Sequence, residues 1–226
     1  MKQLEIDEKT KPFRLVKFFT LSSLVVIFIG ILVLSVLNTH LARKMQQEKS
    51  EAYARVLVEN LNHQIFLQFV IPVAIQFGKI QLRNPEQFER MDKVVKSTFH
   101  SFEVEMVNIY DLENTVSYSF NKDIIGKEDI GGRGFQNALE GRMTSKIIQR
   151  GNLLEILFGF PTESRMLTFA PLRAEKPLST LSGPILGVVE IEQDLSDDYH
   201  SIFRFQILVF TTISFVMVSI FVIMLL

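Results

Sequence analysis

The chain of 226 residues contains no cysteine and no tryptophan. Without cysteine it cannot be a disulfide scaffold, and it cannot build a metal site or a nucleophile on a thiolate. The formal net charge of -1 gives no global indication of a nucleic-acid partner. Phenylalanine, with 20 copies, supplies most of the large apolar volume. What remains is a hydrophobic chain with room for one folded domain of ordinary size plus additional segments.

Catalytic motifs are also missing from the sequence. The four histidines are scattered, and there is no His-Glu-x-x-His zinc motif, Gly-x-Ser-x-Gly elbow or Gly-Lys-Ser/Thr phosphate loop. Gly131-Gly-Arg-Gly134 is rich in glycine, but it lacks the long βαβ context of a nucleotide site. We therefore predict no catalytic residue, no metal site and no cofactor. Enzymatic activity would belong to a parent protein.

Two long apolar runs lie at the two ends of the chain, at residues 18–37 and 207–226. Each gives about 20 residues without a charge, which is enough to cross ~30 Å of hydrocarbon as a helix. The first run is longer than the apolar part of a signal peptide and has no convincing cleavage site, so it is predicted to be an uncleaved anchor. Basic residues precede it, which predicts a cytoplasmic N-terminus. These residues are Lys2, Lys9, Lys11, Arg14 and Lys17.

This pattern divides the chain into four predicted parts. Residues 1–17 are a cytoplasmic tail, and residues 18–38 are the first transmembrane helix. Residues 39–204 form an extracytoplasmic sensor domain, and residues 205–226 form the second transmembrane helix. The predicted location is the bacterial inner membrane, with the domain in the periplasm or outside the cell. Because no output follows the second helix, the chain is expected to be a piece of a longer protein.

Helix-forming residues fill positions 39–71 without proline or glycine. Apolar residues recur there at mostly three- and four-residue intervals, which predicts one apolar face of a long helix that Pro72 kinks or ends. They are Leu41, Met45, Ala52, Val56, Leu61, Ile65 and Phe69. The face indicates either a stalk that forms a homodimer or a helix packed on its own sheet, and both can hold.

A second helix is predicted to begin at Asn84, with Pro85 in its first turn and Gln87 completing a capping box. From residue 104 the apolar period becomes two, which is typical of strands. Strands are predicted at about 104–110, 115–120, 143–150, 153–160, 165–172 and 185–193. Turns are expected at residues 111–114 and 161–164, and a short helix at 133–140. Helices followed by an antiparallel sheet predict an α+β fold.

The acidic segment at residues 194–200 is predicted to end the last strand and to cap the helix that enters the second span. Asp194 or Ser196 can provide the cap, and Asp197 and Asp198 favour the positive end of the helix. A cation site made from these aspartates and His200 is conceivable, but capping is the preferred interpretation.

Taken together and in order, several segments between residues 40 and 205 resemble the Cache (PDC-type, extracellular PAS-like) family of bacterial sensor domains. They are the hairpin at 107–120, Ile125-Gly-Lys127, Arg133-Gly-Phe135 with Ala138-Leu-Glu-Gly141, Leu167-Thr-Phe-Ala-Pro-Leu172 and Ile185-Leu-Gly-Val-Val-Glu-Ile-Glu-Gln-Asp194. One departure is Gly134, where the family usually has an aromatic residue. The resemblance implies a single membrane-anchored domain with long N-terminal helices on an antiparallel sheet.

The resemblance also implies a small-molecule ligand. Arg133 matches the family's arginine before the small helix and can hold a ligand carboxylate by a two-pronged hydrogen bond, or it can form a structural salt bridge. Tyr118 and Thr168 are predicted to give polar contacts in a largely apolar pocket. Arg173 is a weaker second cation. The predicted partners are thus a small molecule, the membrane and a second copy of the chain, but no nucleic acid.

Three functions remain open at this point. The chain can be the input part of a two-component sensor histidine kinase, which is the preferred hypothesis. It can serve a chemoreceptor or a cyclic-dinucleotide cyclase. It can also be a non-enzymatic envelope protein that scaffolds or regulates a membrane complex, in which case its own side chains would fill the pocket.

Overall fold

A computed structural model describes residues 11–82, 84–100, 102, 104–152, 161–175 and 183–225. It divides into two compact units, one formed by Met1–Met45 with Ser201–Leu226 and the other by Gln46–His200. We call the first the helical unit and the second the sensor domain. Helix α1 (Lys11–Ile65) and the last helix, α5 (Ser196–Leu225), each contribute residues to both units.

The helical unit contains two helical segments that are long and apolar enough to cross a membrane. Phe28 and Phe210 meet edge to face, with their ring centroids 6.0 Å apart. The hydroxyls of Thr212 and Ser219 donate to the carbonyls of Leu208 and Phe215, at 2.8 and 2.9 Å. These two polar side chains therefore bond back to their own helix. The two apolar helices fit a membrane-anchored protein.

The helical part of the sensor domain continues through Pro72. A five-residue π-helical segment, Phe66–Val70, follows α1, and α2 (Ile71–Phe77) begins directly after it. Proline lacks an N–H and its ring crowds the carbonyl four residues earlier, which lies within the π-helical segment. The helix ends only at Gly78, whose φ of 73° is the left-handed cap conformation that glycine adopts without strain. Of the two outcomes predicted for Pro72, a kink or an end of the helix, the end is therefore wrong.

Helix α3 (Pro85–Phe99) begins where the sequence predicted. The side chain of Asn84 accepts a hydrogen bond from the Glu86 N–H at 2.9 Å. The capping box does not form as expected. Gln87 is buried and instead accepts from the Gln81 N–H at 2.6 Å and donates to the Lys79 carbonyl at 3.3 Å. It thereby fixes the connection between α2 and α3.

Within the described residues, five strands form one antiparallel sheet in the order β2-β1-β5-β4-β3. Their bounds are β1 Val104–Tyr110, β2 Val116–Ser119, β3 Thr144–Arg150, β4 Glu163–Arg173 and β5 Ile185–Asp194. A 3-10 turn at Lys122–Ile124 and helix α4 (Gly132–Leu139) connect β2 to β3. Glu163 and Ser164 lie in β4 and not in the predicted turn. The predicted strand at 153–160 falls outside the described residues.

The sheet has two different faces because successive side chains of a strand point to opposite sides. One face packs on α1, α2 and α3, and we call it the helix face. Its buried strand residues are Val107, Ile109, Tyr118, Ala170, Leu172, Val189 and Ile191. The opposite face carries α4, and we call it the α4 face. Tyr110, Val116 and Val188 pack there against Phe135 and Ala138 of α4.

Helix α1 also has two apolar surfaces, which corrects the single face predicted for residues 39–71. Leu61, Ile65 and Phe69 are buried in the core with Leu57. Val56, by contrast, is 63% exposed. The helix therefore packs on its own sheet and leaves a second apolar stripe at the surface.

Candidate functional site

A polar cluster lies at the centre of the α4 face. Asn108 and Tyr110 alternate with the core residues Val107 and Ile109 along β1, so both point away from the helix face. Asn108 pairs with Glu190 of the central strand β5. The position of each of these polar side chains on the α4 face therefore follows from the period of two in its strand.

The geometry of the cluster is fully defined around one carboxylate oxygen. Glu190 Oε2 accepts hydrogen bonds from the Tyr110 hydroxyl at 2.6 Å and from Asn108 Nδ2 at 2.9 Å. The Ser119 hydroxyl donates to Asn108 Oδ1 at 2.7 Å, which fixes the orientation of the amide. Hydrogen bonds to an ionised group are short and strong. The cluster therefore holds the Glu190 side chain in one position.

Tyr110 is a permanent donor in this cluster. Burial raises the pKa of its hydroxyl, and the hydrogen bond to Glu190 and the charge of that carboxylate raise it further. Glu190 itself is only partly buried, and within the described residues its Oε1 accepts no hydrogen bond. The arrangement thus presents one oriented carboxylate oxygen that can accept from a bound donor.

Aromatic rings border the carboxylate on the side of α4. The ring of Tyr110 lies 5.8 Å from that of Phe135 and 6.4 Å from that of Phe169, measured between centroids. Phe169, on β4, is the cross-strand partner of Glu190. A charged group surrounded by rings on one side has the character expected of a small-molecule site, which is mostly apolar with a few fixed polar groups.

The four residues predicted to bind ligand do not come together. Tyr118 and Thr168 are fully buried, and Tyr118 belongs to the core on the helix face. The Tyr118 hydroxyl donates to Asp92 Oδ1 at 2.9 Å, and the Thr168 hydroxyl lies 3.0 Å from that of Ser145. Both have structural partners inside the protein.

The two predicted cations lie near opposite ends of α4. Arg133 is exposed in the first turn of α4, and no hydrogen bond or ion pair joins it to another described residue. Arg173 ends β4, where its Nη1 donates to the Gly183 carbonyl at 3.3 Å. Ligand contact by any of the four residues stays a prediction.

Sequence reasoning missed Glu190, Asn108 and Tyr110 as site residues. A signal was present, because Glu190 is a charged residue between Val189 and Ile191 and follows the uncharged run Ile185-Leu-Gly-Val-Val189. The alternation Val107-Asn-Ile-Tyr110 likewise places the two polar side chains on one face. What the sequence did not show is that β1 and β5 are neighbours, which brings the three residues together.

The acidic segment after β5 serves as a cap. Asp194 Oδ1 accepts from the Ser196 N–H at 2.8 Å and from its hydroxyl at 2.5 Å. Asp198 accepts from Gln46 Nε2 at 2.6 Å, and His200 Nε2 lies 3.2 Å from the Pro161 carbonyl. The described residues contain no group of acidic or histidine side chains able to hold a metal ion.

The fold can now be compared with known structures. The chain is similar to the sensor domain of the V. cholerae histidine kinase DctB, with 15% identity, 69% of this chain and 57% of that chain covered, and a TM-score of 0.41. It is also similar to an extracellular ligand binding receptor from Desulfohalobium retbaense DSM5692, with 17% identity, coverage of 69% and 25%, and a TM-score of 0.36. The chain therefore spans less than two thirds of either structure. No family model and no curated protein matches the sequence.

At these identities the similarity concerns the fold alone. The α+β plan implied by the sequence resemblance, with long N-terminal helices on an antiparallel sheet and one small helix on the other side, is the plan observed. The α+β fold predicted from the sequence is thus confirmed by the described elements.

Proposed function

We propose that this chain is a membrane-anchored, extracytoplasmic sensor that binds a small molecule at Glu190 and transmits the signal through α5. The observation that carries the proposal is the oriented carboxylate on the α4 face. Three side chains from the two strands β1 and β2 fix it, Tyr110 and Asn108 directly and Ser119 through Asn108, yet one of its oxygens accepts nothing from the described residues. That oxygen is left to accept from water or from a bound donor.

The chemistry of the cluster favours a ligand that donates hydrogen bonds. An ionised carboxylate only accepts, and it attracts a positive group more strongly than a neutral one. The ligand expected at Glu190 is therefore an ammonium group or, second, a hydroxyl. The carboxylate predicted for Arg133 would then be a second group of the same small molecule.

The signal path runs from the site through the central strand. Glu190 lies on β5, and only Leu195 separates the end of β5 from the start of α5. The first turn of α5 is tied to β4, because the Ser196 hydroxyl accepts from the Ser164 N–H at 3.0 Å. It is tied to α1 through the hydrogen bond from Gln46 to Asp198. A ligand that prefers one position of β5 would thereby bias α5, at a typical coupling of ~1–3 kcal/mol.

A homodimer through α1 is part of the proposal. In the sensor domain Tyr53, Val56 and Leu67 are exposed apolar residues at helical spacing, and Asn60 lies between them. A stripe of this kind with one polar position is typical of a helix that pairs with a second copy. Leu57, Leu61 and Ile65 of the same helix face the protein's own core and are not available for pairing.

The parent protein is proposed to be a two-component sensor histidine kinase in the bacterial inner membrane, with a cytoplasmic N-terminus and a periplasmic sensor domain. The sequence resemblance and the basic residues before the first apolar run support this assignment. Sequencing of the gene beyond codon 226 tests it. A kinase core supports the assignment, whereas a chemoreceptor or cyclase output, or a stop codon, contradicts it.

The ligand proposal is tested with the full chain in detergent micelles. Thermal melting is followed by circular dichroism in the presence of small amines, amino acids, polyols and carboxylates. A ligand at ~100 times its dissociation constant should stabilise the protein by ~2.7 kcal/mol. We expect an amine to stabilise the wild type and not the Glu190→Gln variant, which keeps the size of the side chain. Stabilisation by carboxylates alone, unchanged in Glu190→Gln, would contradict the site.

The dimer proposal has a separate test. Mass determination in detergent by light scattering should show a dimer for the wild type and a monomer for the pair Val56→Glu and Leu67→Glu. Glu59→Gln changes another exposed position of the same helix and should remain dimeric. A wild type that is monomeric at all concentrations would overturn this part.

A further inference from the structure

Gly134 and Phe169 fit together between α4 and the sheet. A Cβ atom placed on Gly134 would lie 2.3 Å from Cδ2 of the Phe169 ring, and 2.6 Å from both Cε2 and Cγ. Real Cβ atoms do not approach ring carbons so closely, because carbon atoms meet at about 3.5–4.0 Å. The ring therefore occupies the volume that a side chain at position 134 would need.

Phe169 also lies next to Glu190 in the sheet. The two residues are directly opposed on β4 and β5. Opposed residues in an antiparallel pair have Cβ atoms only about 4.5–5.5 Å apart. The Phe169 ring also contacts Tyr110, the residue that donates to Glu190. It is thus a wall shared by the carboxylate and the first turn of α4.

The ring is only partly buried, so one of its sides borders accessible space. Its contacts with Gly134 and Tyr110 hold it in place. A group bound at Glu190 cannot extend toward α4 as long as the ring remains there.

We propose that Phe169, seated on Gly134, sets the size limit of the ligand group that Glu190 can bind. The inference rests on the proposed function, since it takes Glu190 as the binding carboxylate. It adds a specificity-determining residue, and it predicts that the site accepts small donors and rejects those that carry a bulky group toward α4.

Benzylammonium is a suitable probe because it combines an ammonium group with a ring of the size of the phenylalanine side chain. Its binding to the full chain in detergent micelles is measured by isothermal titration calorimetry, with injections into protein-free micelles subtracted. In Phe169→Ala the phenyl ring of the probe can take the vacated space while the ammonium group pairs with Glu190. We expect binding about tenfold or more tighter than in the wild type.

Two controls make the result specific. Phe88→Ala removes the same side chain from the opposite side of the sheet, where Phe88 packs on Tyr118, and it should leave benzylammonium binding at the wild-type level. The double variant Phe169→Ala with Glu190→Gln should lose the gain. If Phe169→Ala does not fold, Phe169→Leu opens part of the same space and should show a smaller gain.

Equal binding of benzylammonium by Phe169→Ala, Phe169→Leu and the wild type would overturn the proposal. Failure of the proposed function is a different outcome, in which no amine stabilises the wild type and Glu190→Gln changes nothing. A gain in Phe169→Ala that survives Glu190→Gln would also overturn the proposal, because the ring would then border an apolar space unrelated to the carboxylate.

Discussion

The two faces of the five-stranded sheet use the same strands for opposite purposes. On the helix face, neighbouring strands place Val107, Val189 and Ile191 in a core without exposed side chains. On the α4 face the adjacent positions are Asn108, Glu190 and Glu192, which are polar or charged. The first face stabilises the domain, and the second retains groups that cost stability to bury. This division indicates where a ligand is expected.

The division also explains why Tyr118 and Tyr110 have different roles, although the hydroxyl of each donates a hydrogen bond to a carboxylate. Tyr118 packs between Phe88 and Phe120 on the helix face, and its partner Asp92 lies on α3 and also pairs with Lys96. Tyr110 donates to Glu190, which is shared with Asn108 and remains accessible. One tyrosine joins a helix to the sheet, and the other orients a candidate ligand group.

The largest effect is expected from truncation on the helix face. Ile191→Ala removes a fully buried side chain next to Glu190 and should lower the free energy of unfolding by about 2–5 kcal/mol. Urea denaturation of the detergent-solubilised chain measures it. Leu186→Ala, on the same strand but 44% exposed, is the control and should cost far less. Equal costs would mean that the two ends of β5 are similarly packed, against the structure.

The next effect concerns the contact between α4 and the sheet. Gly134→Ala places a methyl group against the Phe169 ring and should destabilise the protein by about 1–3 kcal/mol through overpacking. Phe169→Leu in the same chain should recover part of the loss. The exposed Gln136→Ala on the same helix is the control and should be nearly neutral. A neutral Gly134→Ala would show that the ring moves aside freely.

A smaller effect is expected from the hydroxyl of Tyr118. Burial, and then the hydrogen bond to Asp92 and its charge, raise the pKa of this hydroxyl above its ordinary value of 10.0. The protonated form therefore stabilises the fold fully below about pH 10, and this contribution is lost as the pH rises above that value. Tyr118→Phe should cost about 0.5–1.5 kcal/mol at pH 7 and should weaken the loss of stability in alkali.

Melting curves between pH 7 and pH 11 check this prediction. Tyr110→Phe on the α4 face provides the comparison, because burial and Glu190 raise the pKa of that hydroxyl in the same direction. A steeper alkaline loss in Tyr118→Phe than in the wild type would contradict the assignment.

The smallest effect is expected at the ion cluster on the α4 face. Arg165 Nη1 lies 2.7 Å from Glu192 and 3.3 Å from Glu105, and the side chains of Arg165 and Glu105 are 40% and 39% exposed, while that of Glu192 is 19% exposed. The hydrogen bond to Glu192 and then the charge of Glu105 raise the pKa of Arg165. Arg165→Gln should still cost no more than about 1 kcal/mol, and the cost should shrink at high salt. Melting at low and high salt measures it.

Much of the fold was predictable from local pattern. The Asn84 cap, the period of two in β1 and β5, and the Asp194–Ser196 cap are short-range features, and the structure contains each of them. The failures lie where another contact or a change of helix geometry overrides the expected local motif. The side chain of Gln87 bonds to the backbone of Gln81 and Lys79 and does not complete the predicted capping box. The helical chain continues past Pro72, and a π-helical segment precedes that proline.

The site was less predictable than the fold because it depends on strand order. Tyr118 and Thr168 were reasonable candidates as polar residues on strands, but alternation alone does not say which side of the sheet is covered by the long helices. Glu190 becomes recognisable only when β5 is known to lie between β1 and β4. Gly134 stands where the family usually has an aromatic residue, and the structure explains this departure. The ring of Phe169, on β4, occupies the volume that a side chain at position 134 would need.

The account is tested most directly by the affinity of the first stabilising amine for three forms of the full chain, measured by isothermal titration calorimetry. The forms are the wild type, Glu190→Gln on the α4 face and Tyr118→Phe on the helix face. The account predicts that Glu190→Gln loses most of the affinity while Tyr118→Phe keeps it. Affinity lost in Tyr118→Phe and kept in Glu190→Gln would place the ligand on the other side of the sheet and contradict the central claim.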